Sequence, residues 1–196
     1  MFLRWASQSG AADRIHPVPS PYADPYTAYP IDTYRAWMRR FATDETIRLR
    51  TRICGLIAGI TGRPTTTIAA LTTASIIDDG DQMRLRLGLT PVQLPPPLPA
   101  LIRLQLAAPR RWDTASTWLF PSKLRAGAHV HASRFAADLQ NLTCRVVGLR
   151  GAALLNLAAT MPVGPLCDLT GMSPNVAARW QLVAASAYAQ YPAMRM

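Results

Sequence analysis

The sequence predicts an α+β domain that is mainly α-helical and carries a small three-stranded antiparallel sheet. Three observations lead there. Tyr34, Trp37, Met38 and Phe41 fall at i, i+3, i+4 and i+7, the spacing of a buried helix face, and further helical segments follow on both sides of the middle of the chain. One segment breaks that rhythm: Met83, Leu85 and Leu87 alternate with Arg84 and Arg86 directly after Asp78-Asp79-Gly80-Asp81, an alternation and a turn that mark a hairpin. Size is the third, because 196 residues at 49% hydrophobic composition suffice for one core of ordinary dimensions.

The elements follow in chain order. Residues 1–30 hold Pro17, Pro19, Pro21, Pro25 and Pro30, a density that excludes a helix and predicts an extended arm or linker ahead of a domain over 31–192. From Ile31 the pattern changes, and Asp32 or Thr33 can cap a first helix. It sets Tyr34, Trp37, Met38 and Phe41 against Arg35, Arg39 and Arg40 on the other face. A second helix is expected from Thr43 or Asp44 through Ile60, with Arg48, Arg50 and Arg52 near its start and Gly62 and Pro64 as its stop.

Residues 65–71 read as a short helix with a Thr-rich start, and residues 74–77 and 82–87 as the hairpin. Gly88 permits a second turn into a third strand over 89–94, ended by Pro95, and Pro99 opens a helix through Leu101, Ile102, Leu104 and Leu106. Pro109, Arg110 and Arg111 mark a solvated loop. Trp118-Leu119-Phe120-Pro121 reads as a short buried strand or turn, and the remainder is helical in pattern.

Charge narrows the function. The chain carries 21 basic residues against 11 acidic ones, a net charge of +10, and nearly all of the basic residues are arginine, Lys123 being the single lysine. Nucleotide bias explains arginine over lysine but not the imbalance itself. A positive field of this size attracts phosphate backbones, so nucleic acid is the expected partner. The longest apolar runs, such as 53–60, fall well short of the roughly 20 residues of a membrane span. No membrane partner is expected. Three widely spaced cysteines (Cys54, Cys144 and Cys167) argue against a disulfide framework or a structural zinc site, and the first residues lack a secretory apolar stretch. The cytoplasm is the expected compartment.

One order of motifs goes further. A helix running into Thr61-Gly62-Arg63 is followed by Ile68-Ala69-Ala70-Leu71, the sheet, and the exit Val92-Gln93-Leu94-Pro95. Then come Leu119-Phe120-Pro121-Ser122, the run from Gly148-Leu149-Arg150-Gly151 into Ala152-Ala153-Leu154-Leu155, and Leu169-Thr170-Gly171-Met172-Ser173. Over about 31–192 this order resembles the catalytic domain of tyrosine recombinases, the phage-integrase family, and looks most like divergent actinobacterial integrase-like proteins. The resemblance implies DNA as substrate. In that family a tyrosine attacks a phosphodiester while two arginines clamp the phosphoryl oxygens. A weak phenol nucleophile needs a positioned phosphate, and guanidinium forks match phosphate oxygens.

Carried over residue by residue, that machinery is incomplete. In place of the family's His-x-x-Arg, Val147-Gly148-Leu149-Arg150 keeps Arg150 as phosphate clamp and loses the His. The first arginine normally stands two residues after the glycine of Thr-Gly-x-Arg. Here Arg63 follows Gly62 directly and Pro64 fills the expected place, a shift of about 100° around a helix. Thr67 stands where an acidic residue is usual. The sheet has no lysine; Arg84 and Arg86 can hold a phosphate but serve poorly as general acids, and Lys123 joins them as an expected DNA contact. Gly171-Met172-Ser173 replaces Gly-His-Ser. Trp180 or Gln181 occupies the nucleophile position, with Tyr188 and Tyr191 about two to three turns further on. The implied protein is a recombinase-like binder of double-stranded DNA with a degenerate active site, self-associating on DNA and needing no cofactor or metal.

Two other readings use the same residues. An active recombinase would employ Tyr188 or Tyr191 as nucleophile. A helix-turn-helix regulator would pair a helix over 163–169 with one capped by Ser173, turning at Gly171 and aiming Asn175 and Arg179 at a major groove. A hydrolase or metalloenzyme finds little support. His129 and His131 lack ligand spacing with Asp113 or Asp138, Ser116, Ser122 and Ser133 lack a Gly-x-Ser-x-Gly elbow, and no phosphate loop ending in Gly-Lys-Ser/Thr occurs.

Overall fold

The computed structural model describes residues 27–109 and 116–189, with side chains up to residue 186. The expected arm up to residue 26, the Arg110 and Arg111 loop, and Tyr191 lie outside the described residues. Helix α1 (Ile31–Thr43) is amphipathic as expected, with Phe41 buried, Trp37 stacked on it at 5.5 Å, and the Tyr34 hydroxyl donating to the Gly59 carbonyl at 2.9 Å; its N-cap is Pro30, so Asp32 and Thr33 lie inside the first turn and do not cap it. Helix α2 (Leu49–Thr61) starts later than the sequence suggests. Asp44 caps the end of α1 instead of opening α2: its carboxylate accepts from the Thr46 amide at 3.0 Å and from the Thr46 hydroxyl, and its carbonyl accepts from the Ile47 amide. An Asp that bonds its own backbone two residues on makes a turn, and that turn separates the helices.

Helix α2 is the axis of the domain. Nearly all of it is buried, because α1, α3 (Thr65–Ala69), α4 (Leu98–Ala107), α5 (Ala132–Asn141) and α6 (Val146–Thr160) all pack on it. It ends at Gly62, whose φ of 67° is the left-handed cap conformation that glycine adopts without strain.

Strands β1 (Ile76–Asp78), β2 (Met83–Leu85) and β3 (Val92–Gln93) form the antiparallel sheet in that order, with Ile77 opposite Arg84 and Arg84 opposite Gln93. The alternation sorts as expected, Met83 and Leu85 facing the core and Arg84 turned outward. A bidentate ion pair ties the hairpin to α4: Arg103 donates to Asp78 at 2.8 and 2.7 Å and to the Gly80 carbonyl at 2.7 Å. Those bonds from Arg103 pull the Asp78 carboxyl down to about 2.

Residues 118–121 contribute two isolated bridges, Thr72 with Trp118 and Pro121 with His129, and bury Leu119 and Phe120. Phe120 meets Phe135 of α5 edge to face at 5.1 Å. A smaller apolar cluster of Leu154, Ala158, Leu166, Ala177, Trp180 and Ala184 binds α6 to α7 (Val163–Thr170) and α8 (Pro174–Ala189). Residues 27–29 lie across α6, the Tyr29 amide donating to the Gly148 carbonyl at 2.9 Å and the Tyr29 hydroxyl accepting from the Arg145 amide.

Candidate nucleic-acid interface

The end of α2, the start of α6, the turn after β2 and the end of α7 come together around Arg63 and Arg150. Arg150 lies in the second turn of α6, half-buried, and its Nε donates to the Gly62 carbonyl at 2.9 Å. Burial pulls its guanidinium below the ordinary arginine range, although the group stays charged. Among the described residues no acceptor takes its terminal nitrogens. The result is a cation pinned by one nitrogen with its fork unspent.

Arg63 is placed differently. Its Nε donates to the Leu169 carbonyl at 2.7 Å, and its Nη2 donates to the Asp168 carbonyl at 3.1 Å and to the Leu87 carbonyl. Two of these acceptors belong to the last turn of α7, where helix carbonyls lack partners and a cation is favoured. The third belongs to the turn leaving β2. The first arginine of the resemblance thus joins the sheet to α7 through backbone carbonyls.

Gly171 makes the join possible: its φ is 72°, and a Cβ there would stand 2.1 Å from the Arg63 Nη1. Asp168 closes the same junction from the other side, accepting the Leu89 amide at 2.6 Å and the Thr90 amide at 2.9 Å. Those amides hold its carboxyl below the usual carboxylate range.

The other expected contacts are dispersed. Arg84 pairs with Asp79 at 2.6 Å across the hairpin, while Arg86 is exposed on the turn side of β2. Lys123 sits on an exposed turn organised by the Ser122 hydroxyl, which accepts from the amides of Leu124 and Arg125 at 3.2 Å. Asn175 and Arg179 are both exposed, four residues apart on one face of α8, beyond the left-handed Gly171. Val147, standing where the family has a His, is 46% exposed and offers no proton.

Trp180 is buried in the small cluster and Gln181 donates its Nε2 to the Met161 carbonyl at 2.9 Å. Helix α8 runs unbroken to Ala189, which carries the backbone of Tyr188 about 12 Å beyond Trp180 at 1.5 Å per residue. The Tyr188 side chain lies outside those described. The hydroxyls of Tyr29 and Tyr34 are both bonded to backbone, and burial raises both phenols above their usual range. His131 caps α5 through its Nδ1, and no group of three His, Cys, Asp or Glu able to hold a metal exists among the described residues.

Asp168 is a member of the Arg63 junction that its sequence context does not signal. Its partners lie far away in the chain, at Leu89 and Thr90, and no local spacing announces such a junction.

No protein-family model matches the chain, and no curated protein matches it closely. Solved structures do. The XerH site-specific recombinase bound to its difH substrate, in a pre-cleavage complex, superimposes with a TM-score of 0.58 at 13% identity over 79% of this chain. The Tn1549 transposon integrase with circular intermediate DNA gives 0.57 at 12% identity over 81% of this chain, and the same integrase with transposon right-end DNA gives 0.57 at 12% over 88%. This chain spans 50% of the XerH chain and 63% of the Tn1549 integrase fragment in its circular-intermediate complex. It has the fold of a tyrosine-recombinase catalytic domain, α+β and mainly helical, with the small three-stranded sheet.

Proposed function

We propose that the protein binds double-stranded DNA with a tyrosine-recombinase-like catalytic domain whose active site no longer transfers strands. The observation that carries this reading is the contrast between the two arginines. Arg150 commits only Nε and keeps both terminal nitrogens without an acceptor among the described residues, suited to a phosphate diester, whereas Arg63 commits Nε and Nη2 to three carbonyls and keeps only Nη1. The net charge of +10 and the DNA complexes formed by the XerH and Tn1549 proteins support the same partner.

Catalysis would require more than a clamp. A proton donor for the leaving oxygen is absent at Val147, the sheet offers no lysine, and Trp180 and Gln181 cannot attack phosphorus. The test is fluorescence anisotropy with labelled duplexes from about 50 to 200 mM salt, where engagement of some six phosphates costs roughly a thousandfold in affinity. Arg150→Ala should weaken binding well beyond Arg35→Ala, which removes an equal charge from the exposed face of α1. Equal effects would leave only bulk charge. No binding at low salt would remove DNA as the partner.

A helix-turn-helix reading draws support from α7, Gly171 and α8, with Asn175 and Arg179 exposed on one face. It differs in predicting sequence-selective binding that Asn175→Ala relaxes.

A further inference from the structure

Helix starts favour acidic side chains, since the amide ends of the helix dipole are positive. Helices α2 and α5 do the opposite at neighbouring ends. Neither has an acidic residue in its first turn, Arg48 and Arg50 open α2, and Arg134 stands in the first turn of α5. All three guanidiniums surround one carboxylate, Asp138, whose side chain is only 10% exposed.

The carboxylate is already satisfied. Its Oδ2 accepts from Arg50 Nη2 at 3.0 Å and from the Thr51 hydroxyl at 3.3 Å. Arg134 and Arg48 approach the Oδ1 at 3.4 and 3.8 Å, within ion-pair range, yet neither guanidinium makes a hydrogen bond to any described residue. The cluster is short of acceptors throughout, the Nε of Arg50 being buried without one. Three positive charges face a single negative one. Two of them, Arg48 at 65% and Arg134 at 55% side-chain exposure, turn unspent forks to solvent.

We infer that Arg48 and Arg134 form a second phosphate-binding patch, at the end of α2 opposite Arg150, which contacts the backbone of the same duplex. This rests on the DNA-binding reading. The spacing suits it: α2 has 13 residues, about 20 Å at 1.5 Å each, and a duplex rises about 3.4 Å per base pair. A duplex running over the surface parallel to the buried α2 would reach the two ends about six base pairs apart. An oxyanion at the patch also adds negative charge beside the start of α5, whose first turn has no acidic residue.

The test compares duplex binding by the full chain, by Arg48→Gln/Arg134→Gln, and by Arg35→Gln/Arg39→Gln, which removes the same charge from the exposed face of α1. The patch variant is expected to lose roughly tenfold in affinity at fixed salt and to lower the salt slope by about 2, with the α1 variant well behind. Arg48→Gln alone, at the longest ion-pair distance, guards against misfolding and should give part of the effect. Inorganic phosphate should raise the melting temperature of the wild type above chloride at equal ionic strength, and not that of the patch variant. Equal losses in both double variants, with wild type binding normally, overturn the patch. Wild type that binds no duplex overturns the DNA-binding reading; phosphate stabilisation would then show a patch that takes free phosphate, and its absence would overturn the patch too.

Discussion

Replacing Arg63 with alanine separates a structural join from a phosphate clamp. The substitution deletes three hydrogen bonds from a charged donor to the carbonyls of Leu169, Asp168 and Leu87, and frees two carbonyls at the end of α7. Bonds to charged groups contribute about 1.5–3 kcal/mol each when buried. Arg63 is only part-buried and water reaches the freed carbonyls, so the sum is discounted to about 3 kcal/mol. At about 2–4 °C per kcal/mol for a domain of this size, the melting temperature should fall by about 6–12 °C. Arg150→Ala removes one bond, to Gly62, and should cost about 1 kcal/mol. The assay is thermal unfolding by circular dichroism beside duplex binding at a temperature where both variants are folded. Arg63→Ala should melt early and bind within about threefold of wild type, while Arg150→Ala melts nearly normally and loses roughly tenfold in affinity. If Arg63→Ala melts like wild type and loses DNA binding, the carbonyl join is not what this side chain is for.

Gly171→Ala should destabilise by at least about 2 kcal/mol, since a left-handed φ of 72° is strained for alanine and the new methyl meets the Arg63 guanidinium; chemical denaturation measures it. Phe135→Ala, which empties the fully buried partner of Phe120, should cost about 3–5 kcal/mol in the same assay. Acid titration of stability should show the Asp78–Arg103 pair. Because the folded carboxyl of Asp78 is lowered to about 2, its contribution is complete above the unfolded value near about 3.9 and is lost as pH falls toward 2, a limb that Asp78→Asn flattens. Asp168→Asn should speed hydrogen exchange at the amides of Leu89 and Thr90 while leaving those of β2 protected.

The helices and the sheet were legible because their signals are local. Tyr34, Trp37, Met38 and Phe41 keep helical spacing, Met83 and Leu85 alternate with Arg84, and Gly62 and Gly171 fall at helix ends that need a positive φ. The late start of α2 was not, because an Asp before a helical run reads equally as its cap or as the end of the preceding helix. The place of Arg150 near the start of a helix was legible from its motif. The placement of Arg63 was not: the shift of one residue shows in the sequence, but the carbonyls that receive the side chain belong to Leu87, Asp168 and Leu169, and any residue supplies a carbonyl. For the same reason the grouping of Arg48, Arg50 and Arg134 around Asp138 is not legible in the sequence, since it exists only where α2 and α5 lie side by side.

Whether this recombinase fold holds DNA without joining to it is decided by incubating the protein with nicked suicide duplexes and running native and denaturing gels side by side. A shifted complex on the native gel and no protein–DNA band on the denaturing one are expected. A band that survives denaturation and disappears in Tyr188→Phe or Tyr191→Phe would contradict that expectation and establish an active recombinase.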